Sequence, residues 1–461
     1  MRPISTPVVL TRRRPARLTA DGEFHTFSTA HGRHLFVADG SRIYDLQAEQ
    51  AGLVEEWCEH ATPLDGLVDD PLAVALGVAV DPRRRYVDDA DPAVPALASL
   101  SLNVMQACNM SCGYCYADEG RFGGAARRMS VEVARQAVER LVAEARPGAD
   151  LVLGFMGGEP LLNRAVVHDA SRYASDVASD AGHGIRFAIT TNLTLLRPED
   201  AALFTELPFT LAVSIDGDRA ANDRSRRMHD GSGSYDRVLD GLRVLAAHGR
   251  PRHMAARVTV TPRTGELLPL LDHLLALGFD EVGFAPVLVS PDPSLAFGED
   301  EFSRFLAAMI ACGEKALAET LAGRPYPFGN FETAVHEIHR GTHRPLPCGG
   351  GAAYLSVDAD GDLFTCHRLV DDPAHAMGSV TGGLDEAGRA AHLARSHVDR
   401  MEPCRGCWAR YLCGGGCYHE VSRRGRVACD YIRGWLDFCL RAYVELSARH
   451  PDHFGPTEHR R

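Results

Sequence analysis

Three thiols fall within eight residues in the segment Cys108-Asn-Met-Ser-Cys112-Gly-Tyr114-Cys115, a C-x3-C-x2-C spacing. Three thiolates on one short loop can hold three corners of a [4Fe–4S] cube and leave one iron open to a small molecule. The same loop also suits a zinc site that draws its fourth ligand from elsewhere. A second group of seven cysteines runs from Cys348 to Cys429. It reads C-x12-G-x4-C over Cys348, Gly361 and Cys366, then C-x2-C-x5-C-x3-C over Cys404, Cys407, Cys413 and Cys417, and closes with Cys429. CxxC pairs often hold structural zinc, yet seven thiols do not divide into two closed four-thiolate sites. Of the thirteen cysteines in the 461 residues, only Cys58, Cys312 and Cys439 stand apart and read as bystanders. Clumped thiols in a long chain indicate metal rather than a disulfide framework.

The rest of the composition narrows the classes. There are 49 basic and 61 acidic residues, a net charge of −12, which argues against a surface that neutralises nucleic-acid phosphates. With 45% hydrophobic and 24% charged residues the chain has ample material for a buried core. No apolar run reaches the ~18 residues that would span a bilayer. Thr11-Arg12-Arg13-Arg14 hints at a twin-arginine signal, but the polar Thr19-Ala20-Asp21-Gly22 follows where an apolar segment should be. The chain reads as cytoplasmic, with neither nucleic acid nor membrane as a partner.

These thiols need a scaffold. Residues 1–98 read as an N-terminal module: short strands at 24–27, 33–37 and 43–46, a helix over 47–60, and a Pro-, Arg- and Asp-rich linker over 80–95. Residues 99–320 alternate strand and helix. Apolar runs at 102–105, 151–155, 186–190, 210–215, 256–260 and 281–287 predict buried strands. Between them lie helical patterns, the clearest over 130–144 with Ser130 as N-cap. Six such units imply an α/β fold with a parallel sheet and, by extension, a partial TIM-type (β/α)6 barrel, whose ligands gather at the C-terminal ends of the strands. Residues 321–461 comprise a bridging region, the Gly- and Cys-rich stretch and a last helix over 431–449. Bound metal is a reasonable organiser of a segment so poor in long apolar runs. His336-Glu337-Ile338-His339 is not a metalloprotease motif, which needs three residues between its histidines.

The first cysteine loop, with Tyr114 as its aromatic, resembles the signature of the radical S-adenosylmethionine (SAM) superfamily. Other positions agree in order and register: Gly157-Gly158-Glu159-Pro160 resembles the GGEP motif, Thr191-Asn192 ends the third strand, and Ser214-Ile215-Asp216-Gly217 ends the fourth. The resemblance implies a SAM-binding cluster on Cys108, Cys112 and Cys115. It further implies SAM contacts from Tyr114, Gly157, Gly158, Glu159, Asn192 and Ser214. Asn222-Asp223-Arg224-Ser225-Arg226 resembles a His-Asp-x-x-Arg pattern with Asn in place of His, and both Arg226 and Arg257 are candidates for the SAM carboxylate. The implied activity is reductive cleavage of SAM to a 5′-deoxyadenosyl radical that abstracts hydrogen, with the protein positioning the cofactor and excluding water.

The second cysteine group resembles the SPASM domain, a C-terminal extension of such enzymes with auxiliary [4Fe–4S] clusters. By that resemblance Cys404, Cys407, Cys413 and Cys429 ligate an outer cluster. Cys348, Cys366 and Cys417 would then ligate an inner one with no evident fourth thiolate, making three clusters in all. SPASM enzymes mostly act on peptides and proteins, so the partners the resemblance implies are a ribosomally made precursor peptide and an electron donor such as ferredoxin or flavodoxin. Anaerobic sulfatase maturases carry an Asp base directly after the cysteine matching Cys366, whereas this chain has His367. Cys366-His367-Arg368 resembles instead the maturases that form thioether or carbon–carbon crosslinks. No residue is assigned as the catalytic base, although His367 is placed to shuttle a proton. The N-terminal module resembles a small winged-helix unit that captures a leader peptide by strand addition.

Overall fold

Strands with period-two burial lay down the scaffold in the computed structural model, which describes residues 18–77 and 92–455. The Thr11–Arg14 run and most of the 80–95 linker lie outside the described residues. In the N-terminal module β1 (Phe24–Thr29), β2 (Gly32–Val37) and β3 (Arg42–Leu46) pair antiparallel in that order. The helix Ala48–Glu59 follows, with Gln47 and Gln50 capping its start. Leu35, Val37, Val54 and Trp57 form a small core of the module's own.

The barrel is built from β4 (Ser99–Gln106), the two-residue β5 (Arg127–Arg128) beside it, and then β6 (Asp150–Gly157), β7 (Gly184–Thr191), β8 (Phe209–Ser214), β9 (His253–Val260) and β10 (Glu281–Pro286). β4 and β6 to β10 are mutually parallel in that order, with helices between them. Ser130 caps the helix Val131–Ala143 by accepting from the Val133 N–H at 3.1 Å. Leu151, Leu153 and Phe155 of β6 are fully buried, while the alternate residues Val152, Gly154 and Met156 line an interior cavity. β7 does the same with Phe187 and Ile189 against Ala188 and Thr190. One face thus packs on helices, each large side chain contributing about 1.5–3 kcal/mol, and the other encloses a lumen.

The sheet does not close, which makes the barrel partial. It continues past β4 into β11 (Tyr354–Val357), β12 (Asp362–Phe364), β13 (Ala376–Ser379) and β14 (Gly383–Leu384). β11 runs parallel to β4, with Leu355 beside Leu100. The Cys-rich stretch is therefore joined to the barrel by backbone pairing across residue 320, and metal is not its sole organiser. The helices Glu299–Leu321 and Cys429–Arg449 pack together, Trp435 and Leu436 of the second line the lumen, and Cys312 and Cys439 are fully buried in the apolar core. The N-terminal module docks on the second of these helices through His25–Asp437 and His31–Glu445, both 2.8 Å. Glu23 meets the fully buried Arg410 at 2.5 Å, and the His25 ring stacks on Trp408 at 3.9 Å. No helix among the described residues is long and apolar enough to cross a membrane.

Candidate functional site

The first cysteine loop leaves the C-terminal end of β4 and is pinned across the barrel top. Ser111 N–H donates to Arg227 O (2.9 Å), Gly113 N–H to Ser225 O (3.1 Å), and Cys115 N–H closes a turn on Cys112 O (3.0 Å). Cys108, Cys112 and Cys115 line a cavity of about 240 Å³ together with Tyr114, Gly157, Gly158, Asn192, Ser214 and Arg226. The close packing explains the glycines. A Cβ on Gly158 would lie 2.2 Å from Ala107 O and 2.6 Å from Glu119 O, and Gly157 has φ +140° with Met105 O only 2.3 Å from any Cβ. Their segment is tied to β4 by Gly158 N–H to Met105 O (2.8 Å) and Glu159 N–H to Ala107 O (3.0 Å). What it can offer a ligand's amino group is carbonyl oxygen.

The Glu159 side chain lies in the wall behind the cavity. It is 1% exposed and accepts from Leu161 N–H (3.0 Å), Thr191 Oγ1 (2.7 Å) and Asn192 N–H (2.7 Å). Its carboxylate thus fastens the end of β6 to the end of β7 and presents Asn192, whose Nδ2 sits 3.8 Å from Cys108 Sγ and 2.9 Å from Asn109 Oδ1. Burial raises the Glu159 carboxyl above its usual range, opposed by these three donors.

Arg226 and Arg257, which the sequence leaves as equals, are separated by the fold. Arg226 is 6% exposed and its Nη1 donates to Tyr114 Oη (2.8 Å), which donates to Asp216 Oδ2 (2.6 Å). Asp216 Oδ1 in turn accepts from Thr259 N–H (3.0 Å), so loop, β8 and β9 are locked together. Asn222, fully buried, accepts from the Asp216 N–H at 3.3 Å and donates to Ser234 Oγ at 3.0 Å, a positioning role. Arg257 faces the lumen and pairs with Glu281 at 3.0 Å. Burial pushes the Cys108 thiol up to about 12 and Cys112 to about 11, so these two thiols stay protonated until a metal displaces the proton. Arg226 Nε is buried without a hydrogen-bond partner. Three free thiols beside an under-satisfied guanidinium fit a three-thiolate cluster with a carboxylate-bearing ligand.

In the second group Cys348, Cys366 and Cys417 are neighbours, and Cys404 has Cys407, Cys413 and Cys429 beside it. Gly414, Gly415 and Gly416 all adopt left-handed φ (73°, 95° and 86°), and the N–H groups of Gly415 and Gly416 turn onto the Cys413 sulfur. Glycine is the residue that accepts such a run of positive φ without a Cβ clash. Cys404, Cys407, Cys413, Cys417 and Cys429 all line a cavity of about 550 Å³.

Between the two groups lies the lumen, about 860 Å³, sharing Tyr116, Met156, Thr190, Thr259 and Arg368 with the first cavity. Arg368 sits 5.0 Å over the Tyr116 ring and donates to Glu420 Oε1 (2.5 Å). His367 also lines the lumen, its Nδ1 3.1 Å from Tyr354 Oη, which lies 2.7 Å from Ser101 Oγ. Burial, reinforced by Arg368 and His419, lowers the His367 pKa to about 4, so the ring is neutral near pH 7. Tyr116, Tyr354, Glu281 and Glu420 were not singled out from the sequence. The adjacency of Tyr116 to Cys115 was the one local signal.

A family model described as the radical SAM superfamily matches residues 102–273. The GTP 3',8-cyclase of Xanthomonas campestris pv. campestris (strain B100) is 32% identical over 341 residues, 68% of this chain and 91% of the cyclase. The chain belongs to the radical SAM superfamily. This radical SAM enzyme is also similar to a serine-type anaerobic sulfatase-maturating enzyme of Klebsiella aerogenes, 27% identical over 354 residues, 72% of this chain and 82% of that one. Its fold matches Streptococcus suis SuiB, solved bound to the precursor peptide SuiA, with TM-score 0.52 and 13% identity over 90% of this chain and all (100%) of that one. Membership implies SAM and a [4Fe–4S] cluster as cofactors.

Proposed function

We propose that this radical SAM enzyme matures a ribosomal precursor peptide by forming a thioether or carbon–carbon crosslink. The observation that carries the reading is the lumen. At about 860 Å³ it can admit peptide side chains, it shares Tyr116 and Arg368 with the first cysteine cavity, and His367, directly after Cys366, also lines it. Cys108, Cys112 and Cys115 would hold the SAM-binding cluster, with Cys404, Cys407, Cys413 and Cys429 on an outer auxiliary cluster and Cys348, Cys366 and Cys417 on an inner one. When bound, these groups supply reductive SAM cleavage and an acceptor for the electron a crosslink releases.

The chain's own residues then bind and orient. Arg226 would take the SAM carboxylate, the carbonyls around Gly157 and Gly158 its amino group, and Asn192 and Ser214 its remaining polar groups. Tyr116 and Arg368 form the wall between cofactor and substrate. The N-terminal module supports a peptide substrate: a groove of about 660 Å³ runs between β3 and the helices Gly329–His339 and Cys429–Arg449, where a leader strand could lie. SuiB, solved bound to its precursor peptide, matches the fold over 90% of this chain, which favours the same reading.

The specific alternative is oxidation of one Cys or Ser to formylglycine, which the Klebsiella relative supports and His367, neutral and in place of an Asp, disfavours. The test is anaerobic reconstitution to about twelve irons per chain, followed by incubation with SAM, reductant and the short peptide encoded beside the gene. A loss of two hydrogens in a product inert to hydrazide supports the crosslink. A hydrazide-reactive aldehyde, on that peptide or on a sulfatase peptide, would overturn it, as would stoichiometric zinc in place of iron.

A further inference from the structure

Away from both cysteine groups, a different donor set converges on the back of the lumen wall. Glu332 and His336 stand at i and i+4 on the helix Gly329–His339 and so share one face. His453 reaches them from the turn Pro451–Phe454, which folds back after the last long helix. One donor atom from each of the three lies within 4.8 Å of the others. Glu332 Oε2 is 3.3 Å from His453 Nε2. Bonds of about 2.0–2.1 Å from a tetrahedral ion put neighbouring ligand atoms roughly 3.3–3.4 Å apart, close to this spacing.

Two details distinguish the cluster from a surface ion pair. His453 Nε2 is buried and makes no hydrogen bond, despite its nearness to the Glu332 carboxylate. His336 Nδ1 lies 2.9 Å from the Glu332 carbonyl oxygen; by donating there it leaves Nε2 with the lone pair a metal requires, the usual arrangement for a ligating imidazole. The rings are held by packing: Phe454 stacks on His339 at 4.4 Å and meets His336 and His453 edge-on. The three side chains are 29%, 32% and 15% exposed, so an ion would be partly desolvated yet reachable.

We propose that Glu332, His336 and His453 bind a divalent transition metal of the zinc type, as a two-His, one-Glu set with a fourth position for water. The ion fastens the turn Pro451–Phe454 to the helix Gly329–His339, whose Asn330, Thr333 and Glu337 line the lumen. The proposal is independent of the peptide reading, since no cysteine takes part.

The untagged chain, reconstituted anaerobically with its clusters, is incubated with zinc, passed through gel filtration, and assayed for zinc and iron with zinc-edge X-ray absorption on the same sample. The expected result is about one zinc per chain in a nitrogen and oxygen shell near 2.0 Å, with no sulfur near 2.3 Å. Glu332→Gln and His453→Ala should each lose the zinc while iron content stays unchanged. His453→Ala alters only the terminal turn, so it decides the matter if Glu332→Gln lowers iron as well. A sulfur shell, zinc retained by His453→Ala, or no zinc in the parent chain would each overturn the proposal.

Discussion

Replacing Arg226 by lysine isolates what the buried guanidinium does. The arginine donates one hydrogen bond to Tyr114 at 2.8 Å, and its Nε, buried and without a partner, remains for a ligand. Lysine keeps a positive charge beside Asp216, which would otherwise be left uncompensated in the interior at a cost of about 3–5 kcal/mol. What lysine lacks is the planar fork. Losing one charge-assisted hydrogen bond to a carboxylate costs about 1.5–3 kcal/mol. At 1.4 kcal/mol per factor of ten, SAM should then bind roughly 10- to 150-fold more weakly. Equilibrium dialysis of labelled SAM against the reconstituted Arg226→Lys enzyme measures this directly, with iron content as the check on the cluster. Arg257→Lys, in the lumen and paired with Glu281, should stay within about twofold of the parent. The reverse pattern, weakening by Arg257→Lys and none by Arg226→Lys, would refute the assignment of the carboxylate contact.

Three further outcomes are expected. Gly158→Ala sets a methyl 2.2 Å from the Ala107 carbonyl oxygen, with no side chain free to yield; about a third of the iron and all SAM cleavage should be lost, by iron assay and 5′-deoxyadenosine release. Glu23→Gln removes one of the two carboxylates beside the fully buried Arg410, with Asp399 Oδ1 still 3.5 Å from its Nε, and should lower stability by about 1.5–3 kcal/mol in chemical denaturation of the holoenzyme. The Asp200 carboxylate, fully buried, is raised by desolvation but more strongly lowered by hydrogen bonds from His168 (2.9 Å) and Arg164 (3.1 Å), with a net shift downward. A depressed folded pKa gives stability that is present above the unfolded value of about 3.9 and lost as pH falls through the folded value. Asp200→Asn should therefore be less stable at neutral pH and lose less stability between about pH 4 and pH 2, read from thermal melts across that range.

Local pattern carried much of the fold. The six apolar runs between 102 and 287 became β4 and β6 to β10 because strands buried against helices announce themselves as apolar blocks. The helix expected over 130–144 from its apolar period runs over Val131–Ala143. β11 was not legible: Tyr354–Val357 is four residues long, and nothing local reveals that its partner is β4, some 250 residues earlier. The role of Glu159 was equally hidden. Its place in a glycine-rich motif suggested ligand contact, whereas the donors that occupy its carboxylate come from its own turn and from the end of β7.

The sequence by itself determined which atoms are available for chemistry: thiols in two clumps, glycines where backbones must touch, and the family signature, because covalent spacing along a short loop is local. Tertiary structure decided which of these atoms meet. It drew Arg226 to the cysteine cavity and Arg257 to the lumen. It also brought His453 to Glu332 and His336 across more than a hundred residues of chain. Those meetings depend on how helices and strands pack around one core, and no spacing along the chain encodes that distance.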